Sequence, residues 1–160
     1  MKKTIHFLVV LTTIALVTFS CKDDITNEPF VNGSATIQGT AFVNTDLTND
    51  TVGILLENVP AGTRIYGILS SEDLVQFPDA SVDYGDIIVD TVVGAGGAFT
   101  MVVPANNKNV TVAFFADDFV ENQIQADTTV ESKIFELPDG YSEVVRNGVV
   151  RYTEVTFYEK

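Results

Sequence analysis

Tryptophan is absent from this chain, and histidine and cysteine each occur once, as His6 and Cys21. Basic residues are scarce too: nine Lys and Arg stand against 22 Asp and Glu, a formal charge of −13. Each shortage excludes something. One cysteine makes no intrachain disulfide, so packing has to supply the stability. A chain that sheds His6 and commits Cys21 elsewhere has no imidazole or thiol for Ser–His–Asp or Cys–His catalysis. It also lacks the ligands of a usual zinc site. The acidity repels nucleic acid, so no nucleic-acid partner is expected. Without tryptophan, any sugar-stacking surface has to be built from tyrosine.

What is present begins at the N-terminus. Met1-Lys2-Lys3 is a short basic start, and residues 5–19 form an apolar run interrupted only by His6 and by Thr12, Thr13 and Thr18. Ser20-Cys21 ends that run, and Lys22-Asp23-Asp24 turns the chain polar at once. This is the three-part pattern of a secretory signal peptide. The run falls short of the roughly 20 apolar residues that span a bilayer.

The Cys21 junction resembles the cleavage box of bacterial lipoproteins, with Ser20 at the small position before the cysteine, although Thr18 and Phe19 replace its usual leucine and small residue. The resemblance implies that residues 1–20 are removed and that Cys21 is acylated, making the membrane a partner through lipid. Loss of Lys2 and Lys3 would take the formal charge from −13 to near −15. Cys21-Lys22-Asp23-Asp24 resembles the lysine-plus-acidic export signal of outer-membrane lipoproteins, which implies display on the cell exterior.

Residues 21–33 read as the lipidated cysteine and a flexible tether, polar and without periodicity. Residues 34–160 read as one all-β domain, because short β-branched runs alternate with Gly, Pro, Asn and Asp and no long helical period occurs. Strands are expected at 35–43, 52–56, 64–69, 86–93, 98–103, 110–116, 130–137 and 149–158. Residues 71–85 are expected as a long loop, with one helical turn near 70–74. Gly94-Ala95-Gly96-Gly97 is expected to close a hairpin between two of these strands; it precedes a strand and no lysine follows, so it is no phosphate loop. Phe115 falls on the more polar face of its run and marks a strand buried on both sides. The spacing suits an antiparallel two-sheet β-sandwich of about 7–8 strands.

Ile37-Gln38-Gly39, Val59-Pro60-Ala61-Gly62-Thr63, Gly97-Ala98-Phe99 and Val103-Pro104-Ala105 together resemble the carboxypeptidase-regulatory-like, or prealbumin-like, sandwiches. The resemblance spans residues 34–119 and implies an Ig-like or prealbumin-like fold serving as a spacer or binding module. It implies no activity, since fold alone does not fix function.

Candidate sites follow from side-chain chemistry. Three acidic groups stand in loops: Asp46 with Asp50, Asp79 with Asp83 and Asp86, and Asp117 with Asp118 and Glu121. The last is the best calcium candidate because its carboxylates are closest in sequence, although none has the spacing of a calcium loop. No other cofactor is expected. Tyr152 and Tyr158 share one face of the last strand and are the candidate contacts for a glycan or protein ligand. Tyr66, Tyr84 and Tyr141 are placed in or beside turns. Asp50-Thr51-Val52, Asp90-Thr91-Val92 and Asp127-Thr128-Thr129 resemble an O-glycosylation acceptor, with Thr51 favoured for its position beside a loop. The expected function is a non-catalytic outer-membrane binding or adhesion module. The alternatives are an accessory subunit bound through a sheet edge and a carboxylate-dependent hydrolase.

Overall fold

The computed structural model describes residues 31–160, so the expected signal segment, Cys21 and most of the tether lie outside the described residues. Ten strands are present: β1 (Gly33–Val43), β2 (Glu57–Asn58), β3 (Arg64–Ser70), β4 (Asp86–Val92), β5 (Ala98–Ala105), β6 (Val110–Ala116), β7 (Phe119–Ile124), β8 (Val130–Glu136), β9 (Ser142–Val145) and β10 (Val150–Glu159). Single 3-10 turns occur at Ser71–Leu74 and Ala95–Gly97. Among the described residues no helix is long and apolar enough to cross a membrane.

The strands form two sheets. A six-stranded sheet runs β2–β1–β10–β8–β7, with β5 also on β1; a four-stranded sheet runs β4–β3–β6–β9. β1 is bonded on both edges. β5 covers residues 33–40 and β2 covers 42–43, while β10 takes the opposite edge along 36–43. The β1–β10 pairing is parallel, a departure from the expected antiparallel sandwich. Parallel neighbours need a long connection, and here almost the whole domain is the connection.

The inward faces are apolar at every second residue, as a half-buried strand requires. Ala35, Ile37, Ala41 and Val43 of β1 meet Phe99, Met101 and Val103 of β5, and face Ile65 and Leu69 of β3 and Val110, Val112 and Phe114 of β6, all buried. Val155 and Phe157 of β10 complete the layer. At one end Phe119 packs against Phe135 and Phe157, with ring centroids 5.5 and 5.3 Å apart. Among the described residues the buried apolar side chains run from Ala35 to Phe157, so residues 22–160 carry every one of them.

Several expectations are corrected. Residues 52–56 are no strand: Val52 is fully exposed and Ile54 72% exposed, and the short pairing with β1 is made by β2. Gly94–Gly97 closes no hairpin, since β4 pairs with β3 and β5 with β1. It carries the chain from one sheet to the other. Gly96 and Gly97 both take positive φ (70° and 73°), and a Cβ on Gly97 would sit 2.5 Å from the Ala41 carbonyl oxygen. Phe115 is 42% exposed, on the outward face of β6, and is not buried on both sides. Tyr66 lies within β3, not beside a turn.

β7 and β9 fall outside the strands that the sequence pattern predicts. β7 inverts the usual pattern: Gln123 faces in at 4% exposure, while Val120 and Ile124 face out. Gln123 is satisfied there, donating through Nε2 to the Asn44 carbonyl (2.9 Å) and accepting from Gln125 Nε2 (2.8 Å). β9 is only four residues long.

The inward row of β1 has one gap, at Gly39. Its direct partner across the ladder, Phe99, lays its ring over the glycine, and a Cβ there would overlap the ring. Overpacking of this kind costs about 1–3 kcal/mol. Gly39→Ala is therefore expected to lower the unfolding free energy by that amount in urea denaturation. The double variant with Phe99→Leu should lose less than the sum of the two single changes. A neutral Gly39→Ala would contradict this packing.

Candidate functional site

Tyr152 and Tyr158 do lie on one outward face of β10, at 78% and 56% exposure. They stand over two separate concavities. The larger, about 590 Å³, is lined by Gln38, Gly39, Thr40, Glu143, Tyr152, Thr153 and Glu154. The parallel register builds it: Gln38 is level with Tyr152, Gly39 with Thr153 and Thr40 with Glu154. Because Gly39 and Thr153 are the middle residues of these triplets, the side chains on either side project outward and leave the backbone between them as a floor. Glu143 enters from β9 of the other sheet, held close because Arg151 Nε donates to the Val144 carbonyl (3.0 Å). Apart from the tyrosine ring, the lining is amide, hydroxyl, carboxylate and backbone.

The second concavity, about 280 Å³, lies where β10 and β8 share only two register pairs, at residues 158–159 and 135–136. Its lining is more apolar and includes Phe135, Phe157, Tyr158, Ile54 and Leu56. A folded loop forms one wall. Glu57 accepts from Thr45 N (2.8 Å), Asp46 N (3.3 Å) and Asn49 Nδ2 (3.2 Å). Asp50 accepts from Asn44 Nδ2 and Leu55 N, both at 2.7 Å. These two carboxylates hold the loop in a shape that turns Val52, Ile54 and Leu55 outward.

The acidic groups have structural tasks. Asp46, Asp79 and Asp127 each accept, through Oδ1, both the backbone N–H and the hydroxyl of the Ser or Thr two residues on: Thr48 (3.0 and 2.6 Å), Ser81 (2.9 and 2.8 Å) and Thr129 (3.0 and 2.5 Å). Such turns let the side chain stand in for a backbone acceptor. The signal Asp-x-Ser/Thr was present in the sequence and points to turns, not to a metal.

Asp117, Asp118 and Glu121 are not brought together, because the chain crosses between the sheets at Asp117-Asp118. Asp117 faces β3 and accepts from Tyr66 Oη (3.1 Å), while Asp118 pairs with Lys160 Nζ (2.8 Å) in the other sheet. Glu121 accepts from the neighbouring Asn122 N–H (3.0 Å). Among the described residues no three His, Cys, Asp or Glu side chains converge to hold a metal ion. Burial, and then the bond to Asp117, push the Tyr66 hydroxyl above its ordinary value.

Of the three Asp-Thr tripeptides, Thr51 is exposed on the folded loop. Thr91 lies within β4 and donates its hydroxyl to the Thr100 carbonyl (2.8 Å). Thr128 takes a φ of 70° inside the Asp127 turn. Tyr141 packs on the core and accepts from the Thr156 N–H (3.1 Å), and Tyr84 accepts from Asp79 N (2.9 Å), so both brace structure.

No family model matches the chain, and no curated protein matches it. Among solved structures it is similar to the crystal structure of the major plantain pollen allergen Pla l 1, at 13% identity and a TM-score of 0.41, over 80% of this chain and 95% of that one.

The Thr129 hydroxyl, and then its N–H, hold the Asp127 carboxyl below its usual value. A carboxyl with a depressed folded-state pKa contributes stability above its unfolded pKa of about 3.9, lost as pH falls through the lower folded value. Thr129→Val should therefore raise the Asp127 midpoint toward that of a free aspartate in a carboxyl-detected NMR titration. An unchanged midpoint would contradict the turn.

Proposed function

We propose that this chain is a lipid-anchored, outward-facing binding module of the outer membrane, with a prealbumin-like sandwich and no catalytic role of its own. Its recognition face is the outward side of β1 and β10, and its ligand is a polyhydroxylated glycan. The observation that carries the reading is Tyr152, 78% exposed at the wall of a groove lined otherwise by Gln38, Thr40, Glu143, Glu154 and backbone. An exposed ring of this kind offers an apolar face to sugar C–H groups, and amide, hydroxyl and carboxylate groups around it meet sugar hydroxyls. The groove sits near mid-length on β1, away from the Gly33 end of the strand. The prealbumin-like assignment is supported by the contact of Gly39 with Phe99, two residues in the segments that carry the resemblance.

One observation favours a second reading, a carboxylate-dependent hydrolase: Glu143 and Glu154 stand on the same groove. Against it, Glu154 is exposed on an open face, and the groove's lining holds amide, hydroxyl, carboxylate and backbone groups around a single tyrosine ring.

The test is a thermal-shift screen of residues 22–160 against a glycan panel, with calcium and EDTA as controls. A ligand at a hundred times its dissociation constant adds about 2.7 kcal/mol to stability. The expected result is a shift with at least one glycan, lost in Tyr152→Ala while the unliganded melting temperature stays the same, and with no product formed on prolonged incubation. A flat panel, or a shift that survives Tyr152→Ala, would contradict the binding reading. Product formation that Glu154→Gln abolishes would establish the hydrolase instead.

A further inference from the structure

A third concavity, about 370 Å³, opens at the turn between β9 and β10 and does not depend on the glycan reading. Its lining holds Arg146, Arg151, Asn109 and the apolar wall of Val144, Val145 and Val149, with no carboxylate among them. That is unusual in a chain where 22 acidic residues surround nine basic ones. Elsewhere the cations are committed. Arg64 pairs with Asp90, Lys133 with Glu131 and Glu159, and Lys160 with Asp118 and Glu136. Lys108 Nζ donates to the Val75 and Gln76 carbonyls (3.1 and 2.8 Å). Among the described residues Arg146 and Arg151 form no ion pair, although both face the same hollow.

Both guanidiniums are oriented in advance. Arg146 Nε donates to Asn109 Oδ1, and Arg151 Nε donates to the Val144 carbonyl (3.0 Å). Each bond uses the Nε donor and leaves the Nη groups of that fork to a ligand. A fork already held in place loses less freedom on binding. Glu143, the nearest acid in sequence, lines the neighbouring groove beside Tyr152 instead. The hollow is therefore cationic in an acidic chain, and an oxyanion is drawn to it and repelled by the rest of the surface.

The number of forks selects among oxyanions. A carboxylate has two oxygens and is satisfied by a single arginine. A phosphate monoester offers three terminal oxygens and roughly two negative charges, so it can engage two guanidiniums at once. Val144, 39% exposed, and half-buried Val149 leave an apolar wall for the organic group it carries.

We propose that this hollow binds a phosphoryl group between Arg146 and Arg151, carried on a small monoester or on a lipid headgroup. The shared chemistry is the monoester dianion, and two arms of one experiment separate its sources.

In the first arm, residues 22–160 are titrated by NMR with phenyl phosphate and, separately, with benzoate, reading amides and arginine Nε–H groups. In the second, the same protein is sedimented with phosphatidylcholine vesicles containing phosphatidic acid, a monoester, or phosphatidylglycerol, a diester. Phenyl phosphate is expected to give saturable shifts at Asn109, Val144, Arg146 and Arg151, with benzoate weaker by at least ~tenfold. Binding of phosphatidic acid vesicles alone would support the site and assign the phosphoryl group to a headgroup. Both arginines are exposed, so Arg146→Gln and Arg151→Lys should fold, with the amide spectrum unchanged elsewhere. Each should weaken binding at least ~tenfold, the lysine variant because it keeps the charge and loses the fork. Arg64→Gln changes the net charge by the same amount as Arg146→Gln at the other end of β6 and should leave affinity unchanged. Equal affinity for benzoate, equal weakening by Arg64→Gln, shifts on another surface, or no binding in either arm would each overturn the proposal.

Discussion

Everything else in this domain depends on the parallel ladder between its first and last strands. β1 cannot complete its inner row until β10 arrives on its open edge, and β10 finds only two further register partners, on β8. The chain between them is therefore one long excursion that returns to the strand it left. Topologies dominated by such distant pairings fold slowly, because loop-closure entropy is spent before contacts repay it. The same ladder creates both concavities: its register sets Gln38 and Thr40 level with Tyr152 and Glu154, and the early end of its second edge leaves the gap above Phe135 and Phe157.

The second organising fact is how the acidity is used. An excess of carboxylates on a small domain repels itself, yet many of these are spent locally. Asp46, Asp79 and Asp127 each close a turn onto a Ser or Thr. Glu57 and Asp50 order a loop that has no sheet partner along residues 52–56. Lys133 and Lys160 each bridge two carboxylates at the ends of β8 and β10. Those four contacts are exposed or half-exposed and individually weak. The carboxylate bonds to backbone N–H groups in the loops matter more, because charged acceptors strengthen hydrogen bonds.

The legible parts of this fold are those where side-chain period and environment agree. β1, β5, β6 and β10 alternate cleanly, and all four stand close to where the pattern places them. β7 escapes because its polarity is reversed, with Gln123 inward and Val120 outward. Residues 52–56 mislead for the opposite reason, being apolar but held away from both sheets by carboxylates. Gly94–Gly97 has the composition of a hairpin turn and the task of a crossing between layers, and composition cannot separate these. The shared face of Tyr152 and Tyr158 follows from a period of two. Gln38 and Glu143 join the groove only through pairing between distant segments, which no local pattern reports. The Asp117, Asp118 and Glu121 group fails because neighbours in sequence are directed into different sheets.

Native-state hydrogen exchange, residue by residue, tests the central claim most directly. If the β1–β10 ladder is the last element to open, amides along residues 36–43 and 150–157 that are bonded in it exchange only through global unfolding, with opening free energies equal to that from denaturant titration. Amides of β4 and of the loop at 44–56 should open at lower free energy. Early exchange along β10, with the four-stranded sheet protected longest, would contradict the account and place the organising contact between β3 and β6.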